Sequence, residues 1–131
     1  MPFLLDTNIL IRLRDGEPEI ARNVGALDGA ILMSIISRVE LEGGVYREPS
    51  TSHLRRPRLD AILAAIPTVV FDAECADAYG RILTVTGYSR RKLLDRMIAS
   101  QAIVHRATLV TGNSGDFSDV PGLAQLSWLR R

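Results

Sequence analysis

The chain has 131 residues, of which 47% are hydrophobic, with a formal net charge of +1 and a single cysteine. That length suits one domain, residues 1–131, around one core; Cys75 excludes an internal disulfide and reads as a small apolar filler on a helix. Residues 1–6 lack the basic start of a secretory signal, and the apolar runs fall short of the ~20 residues that span a bilayer, so a cytoplasmic protein with no membrane span is expected.

In chain order, residues 3–5 read as a short buried strand. Ile9, Leu10, Ile11 and Leu13 begin a helix that ends near Asp15 and Gly16. Glu17-Pro18-Glu19 opens a second helix, with proline in the first turn and acids at its positive end; Ile20, Val24 and Leu27 form its apolar stripe. Residues 30–33 read as strand two, and Ser34 or Ser37 caps the helix that carries Glu40. Gly43-Gly44 is expected to weaken or end that helix. Residues 49–57, basic and turn-rich, read as an exposed connection or a helix-hairpin tip.

Leu59, Ile62, Leu63 and Ile66 then give a helical stripe stopped by Pro67, and residues 68–71 read as strand three. Residues 73–85 read as a helix with Ala76, Tyr79, Leu83 and their neighbours inward, ended by Gly87. After a loop at 88–91 come a helix at 93–106, strand four at 108–111 and a last strand at 124–128. Strands alternating with helices at this spacing argue a mostly parallel sheet covered on both faces.

Four acids are spread along this pattern so that a parallel sheet would deliver them to one edge. Asp6 and Asp116 lie at or just past the ends of apolar strands, where open α/β sheets place ligands. Glu40 and Asp95 lie near the N-terminal halves of helices. Singly, each has an ordinary reading: Asp6 as a cap, Glu40 as a solvated helix residue, Asp116 as a turn residue. Asp95 interrupts an apolar stretch, where a charge needs a reason.

If all four meet, two carboxylates about 5 Å apart repel by roughly 3 kcal/mol at an effective dielectric near 20. Protons or a hard divalent cation must offset that, and oxygen-only ligation favours Mg²⁺ or Mn²⁺. With these four of the fifteen acids set aside, eleven face sixteen Lys and Arg, a surface that suits a polyanion.

Four strings carry a resemblance to the PIN-domain ribonucleases and, within them, to the toxins of VapBC-type toxin–antitoxin pairs. LLDTNIL at 4–10 is similar to the opening strand, aligning Asp6 and Asn8. ISRVELEGG at 36–44 aligns Glu40, not Glu42, with the second acid, and LLDRMIASQA at 93–102 aligns Asp95 with the third. LVTGNSGDF at 109–117 resembles the closing segment, aligning Thr111, Asn113 and Asp116. Arg38 and Arg96 depart from the pattern, and Asp119 reads as a turn residue beside it.

The resemblance implies a PIN-like three-layer α/β/α sandwich with a mostly parallel central sheet. It implies Mg²⁺-dependent cleavage of single-stranded RNA, with Mn²⁺ as the alternative ion, and Asp6, Glu40, Asp95 and Asp116 as catalytic metal ligands. Asn8, Thr111 and Asn113 are expected to tune them by hydrogen bonds to carboxylates, water or substrate. A homodimer and a small antitoxin partner are also implied.

Arg90, Arg91 and Lys92, just before Asp95, are the best candidates for the RNA backbone. Arg55, Arg56 and Arg58 are weaker ones, Arg12 and Arg14 read as exposed, and His53 and His105 lack catalytic spacing. Trp128 reads as core or interface. Among rivals, a haloacid-dehalogenase-like phosphatase needs an acid where Asn8 stands, and a response-regulator receiver needs an acidic pair and a late lysine that are missing. An RNA- or partner-binding module without nuclease activity would tolerate loss of Asp6 and Asp95.

Overall fold

The computed structural model describes residues 1–128. Five short strands, β1 (Phe3–Leu5), β2 (Ile31–Ser34), β3 (Thr68–Val69), β4 (Thr108–Thr111) and β5 (Gln125–Ser127), form one parallel sheet in the order β3-β2-β1-β4-β5. The helices are α1 (Thr7–Arg14), α2 (Pro18–Gly25), α3 (Ile35–Tyr46), α4 (Ser52–Ala65), α5 (Ala73–Thr86) and α6 (Leu93–Val104), with a 3₁₀ turn at Ser114–Phe117.

Alternation along the strands sorts the layers. Leu5, Met33 and Val110 pack with residues of α1 to α4, whereas Leu4 and Leu109 pack on the other face with Ile82, Ile98, Ala99, Ala102 and Phe117. The expected three layers and parallel sheet are therefore present. Strands β1 to β3 build outward in one direction and β4 returns to the opposite side of β1. This reversal opens a crevice past the C-terminal ends of β1 and β4, where such sheets bind ligands.

Several expected boundaries differ. Helix α3 runs through Gly43-Gly44 to Tyr46, because Leu41 and Val45 are fully buried and hold its last turns on the core. Gly44 also admits a close neighbour, since a Cβ there would meet Arg14 Nη1 at 2.9 Å. Much of the expected connection at 49–57 is helix: α4 starts at Ser52 and contains Pro57. Pro57 and His53, four residues earlier, are both exposed, so water can take the carbonyl that proline leaves without a donor.

Arg55 Nη1 also donates to Gly44 O at 2.8 Å, and Arg56 bridges Glu42 and Asp60, pinning α4 onto α3. Strand β3 is only Thr68–Val69. The buried face of α5 is Cys75, Ala78 and Ile82, with Tyr79 and Leu83 flanking it and Ala76 exposed. Arg14 is buried and Arg12 half-buried, against the expectation that both are exposed. Trp128 is partly buried against the core. No helix among the described residues is long and apolar enough to cross a membrane.

Candidate active site

Asp6 leaves the end of β1 and caps α1. It is 4% exposed and uses both oxygens: Oδ1 accepts from the Thr7 backbone N–H at 2.8 Å and Oδ2 from the Thr111 hydroxyl at 2.8 Å. Capping and site membership are thus properties of one side chain. Thr111, at the end of β4, is fully buried, so its bond spans the crevice between the two strands.

Glu40 stands on the second turn of α3. Its Oε1 accepts from Thr7 Oγ1 at 3.0 Å, and Thr7 Oγ1 lies 2.7 Å from Ser37 Oγ. Thr7 and Ser37 were not anticipated from sequence. The available signals were adjacency to Asp6 and the three-residue spacing from Ser37 to Glu40, which puts both on one helix face. Asp95 is half-buried in the first turn of α6, and Asp116 is exposed on the 3₁₀ turn.

Electrostatics shows that the four acids share one space. Burial first, and then the charges of Asp6, Asp116 and Glu40, opposed by Lys92, push the Asp95 carboxyl up to about 6. Asp6 is also raised, first by burial; hydrogen bonds from Thr111 and Thr7 oppose this, and Glu40 and Asp116 add to it. Asp6, Glu40, Asp95 and Asp116 therefore lie within range of one another's charge.

They form an open array: among the described residues, no three Asp, Glu, His or Cys side chains close around one point. A hard cation that keeps several waters and needs only one or two carboxylates suits this donor set. The all-oxygen chemistry and the mutual repulsion fit such an ion.

Asn8 and Asn113 are exposed, and among the described residues neither side chain bonds an acid. Only the backbone N–H of Asn113 donates to Thr111 Oγ1, at 2.9 Å. Both residues line a neighbouring pocket.

Arg96 is buried beside Asp95. Its Nη1 donates to Gly87 O at 2.8 Å and its Nη2 to Asp119 Oδ2 at 3.1 Å, while Nε is buried without a partner. Asp119 also lies 3.7 Å from Lys92 Nζ. Asp119 is therefore more than a turn residue: it joins α6 to the loop after the Asp116 turn. Lys92 is partly engaged by that contact, whereas Arg90 and Arg91 are exposed and form no ion pair among the described residues.

Deeper in α6, fully buried Gln101 accepts from Ser34 Oγ and donates to Val69 O at 3.1 Å. Ser34 in turn caps α3 through the Ile36 N–H at 2.9 Å. Gln101 thereby links the helix of Asp95 to the start of the helix of Glu40.

Residues 3–123 match the PIN domain family. The chain is 31% identical over 135 residues to Ribonuclease VapC2 of Rickettsia felis, covering 98% of each. Among solved structures it is similar to VapBC2 from Rickettsia felis bound to a DNA fragment from their promoter, with TM-score 0.85, 30% identity and coverage of 98% of this chain and 99% of that one. It is also similar to VapBC-1 from nontypeable Haemophilus influenzae, with TM-score 0.79, 26% identity and coverage of 98% of each chain. Aligned from end to end with such relatives and matched over most of its length, the chain belongs to the PIN-domain family, among its VapC-type members.

Proposed function

We propose that this chain is a divalent-metal-dependent endoribonuclease that cuts single-stranded RNA and is silenced by a small antitoxin. The observation that carries the reading is that Asp6 and Asp95 are both raised, first by burial and then by the charges of neighbouring acids, at the point where the sheet reverses order. A shared electronegative space of this kind has use for a cation. It has none for a bare polyanion.

Asp6 and Asp95 would hold Mg²⁺ or Mn²⁺, with Glu40 and Asp116 facing it. The bound ion supplies neutralisation of these charges and polarisation of a phosphate oxygen. Hydrogen bonds from the Thr7 N–H and the Thr111 hydroxyl hold the Asp6 carboxylate in place. Thr7 also anchors Glu40 through Oε1, while Oε2 has no partner among the described residues. That free oxygen suits a group that orients a water or accepts its proton, which requires no covalent enzyme intermediate. Arg90 and Arg91, exposed ahead of Asp95, suit the RNA backbone, with Lys92 in a lesser part.

A groove of about 470 Å³ between α1, α2 and α4, lined by Leu13, Val24, Ile62 and Ile66 with Arg14 and Arg58, supports a partner helix. Val39 and Tyr46, seven residues apart on α3, and Val70 beside edge strand β3 are exposed and support a homodimer.

The test is cleavage of single-stranded RNA by the purified chain with Mg²⁺, with Mn²⁺ and with a chelator. Cleavage should require the ion and vanish in folded Asp6→Asn and Asp95→Asn proteins. Full activity in Asp6→Asn, or activity in chelator, overturns the mechanism; RNA binding without cleavage by the wild type leaves a binding module.

A further inference from the structure

We propose that Asn8 and Asn113 form a nucleobase-reading pocket beside the acidic site. The inference rests on the ribonuclease reading and names a part of the substrate that the acids do not touch. The pocket has a volume of about 310 Å³ and is lined by Asn8, Ile9, Ile11, Arg12, Gly112 and Asn113. That volume lies at the small end of ligand sites, the scale of one base with part of its sugar.

Its position follows from the fold. Asn8 is two residues past Asp6 on the first turn of α1, and Gly112-Asn113 follow Thr111, whose hydroxyl binds Asp6. Asn8, Ile11 and Arg12 recur at helical spacing and so present one face of α1 to the segment after β4. The pocket therefore opens next to the Asp6–Thr111 pair, within reach of the nucleotide adjoining a phosphate held by the acids.

Its chemistry follows from the side chains. An amide offers a donor and an acceptor in one plane, which matches the paired donor and acceptor edge of a base. Among the described residues both amides are free of protein partners, and Ile11 supplies an apolar wall against which a ring can lie. Arg12 Nε donates to Glu17 Oε1 at 3.0 Å, which fixes the guanidinium at the pocket wall and leaves its Nη atoms as further donors. The amides supply the side-chain acceptors that the guanidinium lacks. Unstacked bases of single-stranded RNA are the ligands read this way.

This assignment differs from a role for the same residues in tuning the acids, and the two separate by experiment. Isotope-labelled protein is titrated, with Mg²⁺ present, with the four ribonucleoside 5′-monophosphates, and the side-chain amide signals of Asn8 and Asn113 are followed by NMR. One nucleotide should shift both signals, with an affinity roughly five- to tenfold above the other three, the size expected for one base-edge contact at a partly solvated site. Asn8→Ala and Asn113→Ala should each erase that preference and broaden the cleavage-site pattern on a randomised RNA.

Amide signals that respond to none of the four, or to all alike, overturn the proposal. So does a uniform slowing of the variants at unchanged cleavage sites, which assigns the amides to the acids. A selective shift in a protein that never cuts RNA keeps the pocket and removes the ribonuclease reading instead.

Discussion

At the residue scale, the site is a set of hydroxyls holding carboxylates. Thr111→Val removes the donor to the buried Asp6 Oδ2. Because that bond favours the ionised form, the variant should lose about 1–2 kcal/mol of stability at neutral pH. The loss should shrink as pH falls and Asp6 takes up a proton, and urea unfolding at neutral and acid pH measures it. A second prediction concerns the metal-free wild type. The folded Asp95 carboxyl titrates near 6 against an ordinary value of 3.8, and Asp6 is raised in the same direction. The folded state therefore binds more protons than the unfolded state in this window. The associated stability is fully present below about 4 and is lost as pH rises through about 6. In chelator, melting temperature should climb as pH falls from 7.5 to 5, and saturating Mg²⁺ should flatten the climb; the opposite slope would count against a shared acidic site. The acids were legible in the sequence because a charge ending an apolar strand or breaking an apolar helix has few reasons to be there. Thr7 and Ser37 were not, since hydroxyls at helix starts serve as caps in many contexts. Only the packing of α1 on α3 turns Thr7 toward Glu40.

At the element scale, Arg96 joins three segments around the site. It ties α6, which carries Asp95, to Gly87 ahead of the basic loop and to Asp119 behind the Asp116 turn. Asp119 is about two-fifths exposed, so freeing it costs little. The consequence of losing Arg96 should fall on alignment more than on folding. Arg96→Met should speed hydrogen exchange over residues 87–92 and lower RNA turnover roughly tenfold, within the range expected when reacting groups shift by a fraction of an ångström. Unchanged exchange in that loop would assign Arg96 to packing alone. The same scale shows where local sequence signals mislead. Gly43-Gly44 and Pro57 are breakers in isolation, yet α3 and α4 pass through them because buried Val45 and Leu59 and the arginine bridges outweigh propensity. The inward face of α5, expected at Ala76, Tyr79, Leu83 and their neighbours, centres on the neighbours Cys75, Ala78 and Ile82. Both sets have helical spacing, and only the packing partner, α6, chooses between them.

At the scale of the whole molecule, two surfaces carry the proposed biology, and neither can be read from periodicity. The parallel sheet covered on both faces was legible, because alternating strands and helices admit few topologies, whereas its strand order comes from the fold alone. What covers the outer faces is set by groups from distant parts of the chain meeting in space. Replacing Arg90 and Arg91 with alanine should reduce the salt dependence of single-stranded RNA binding by about 1.4 in log–log slope; an unchanged slope returns them to a solvated loop. The groove between α1, α2 and α4 allows the sharper test, because it separates inhibition from catalysis. Leu13, Val24, Ile62 and Ile66 offer an apolar floor, and the groove's lining includes none of the four acids. Val24 is half-buried on α2, so a carboxylate placed there can reach water in the free protein. Under a docked apolar helix the same carboxylate loses its solvent, which costs several kcal/mol unless it is paired. Val24→Glu should therefore cut RNA at the wild-type rate while its affinity for the proposed antitoxin falls at least about a hundredfold. Expressed with that antitoxin, the variant should still arrest growth, whereas the wild type should not. Full protection of the variant by the antitoxin would place the partner elsewhere on the surface.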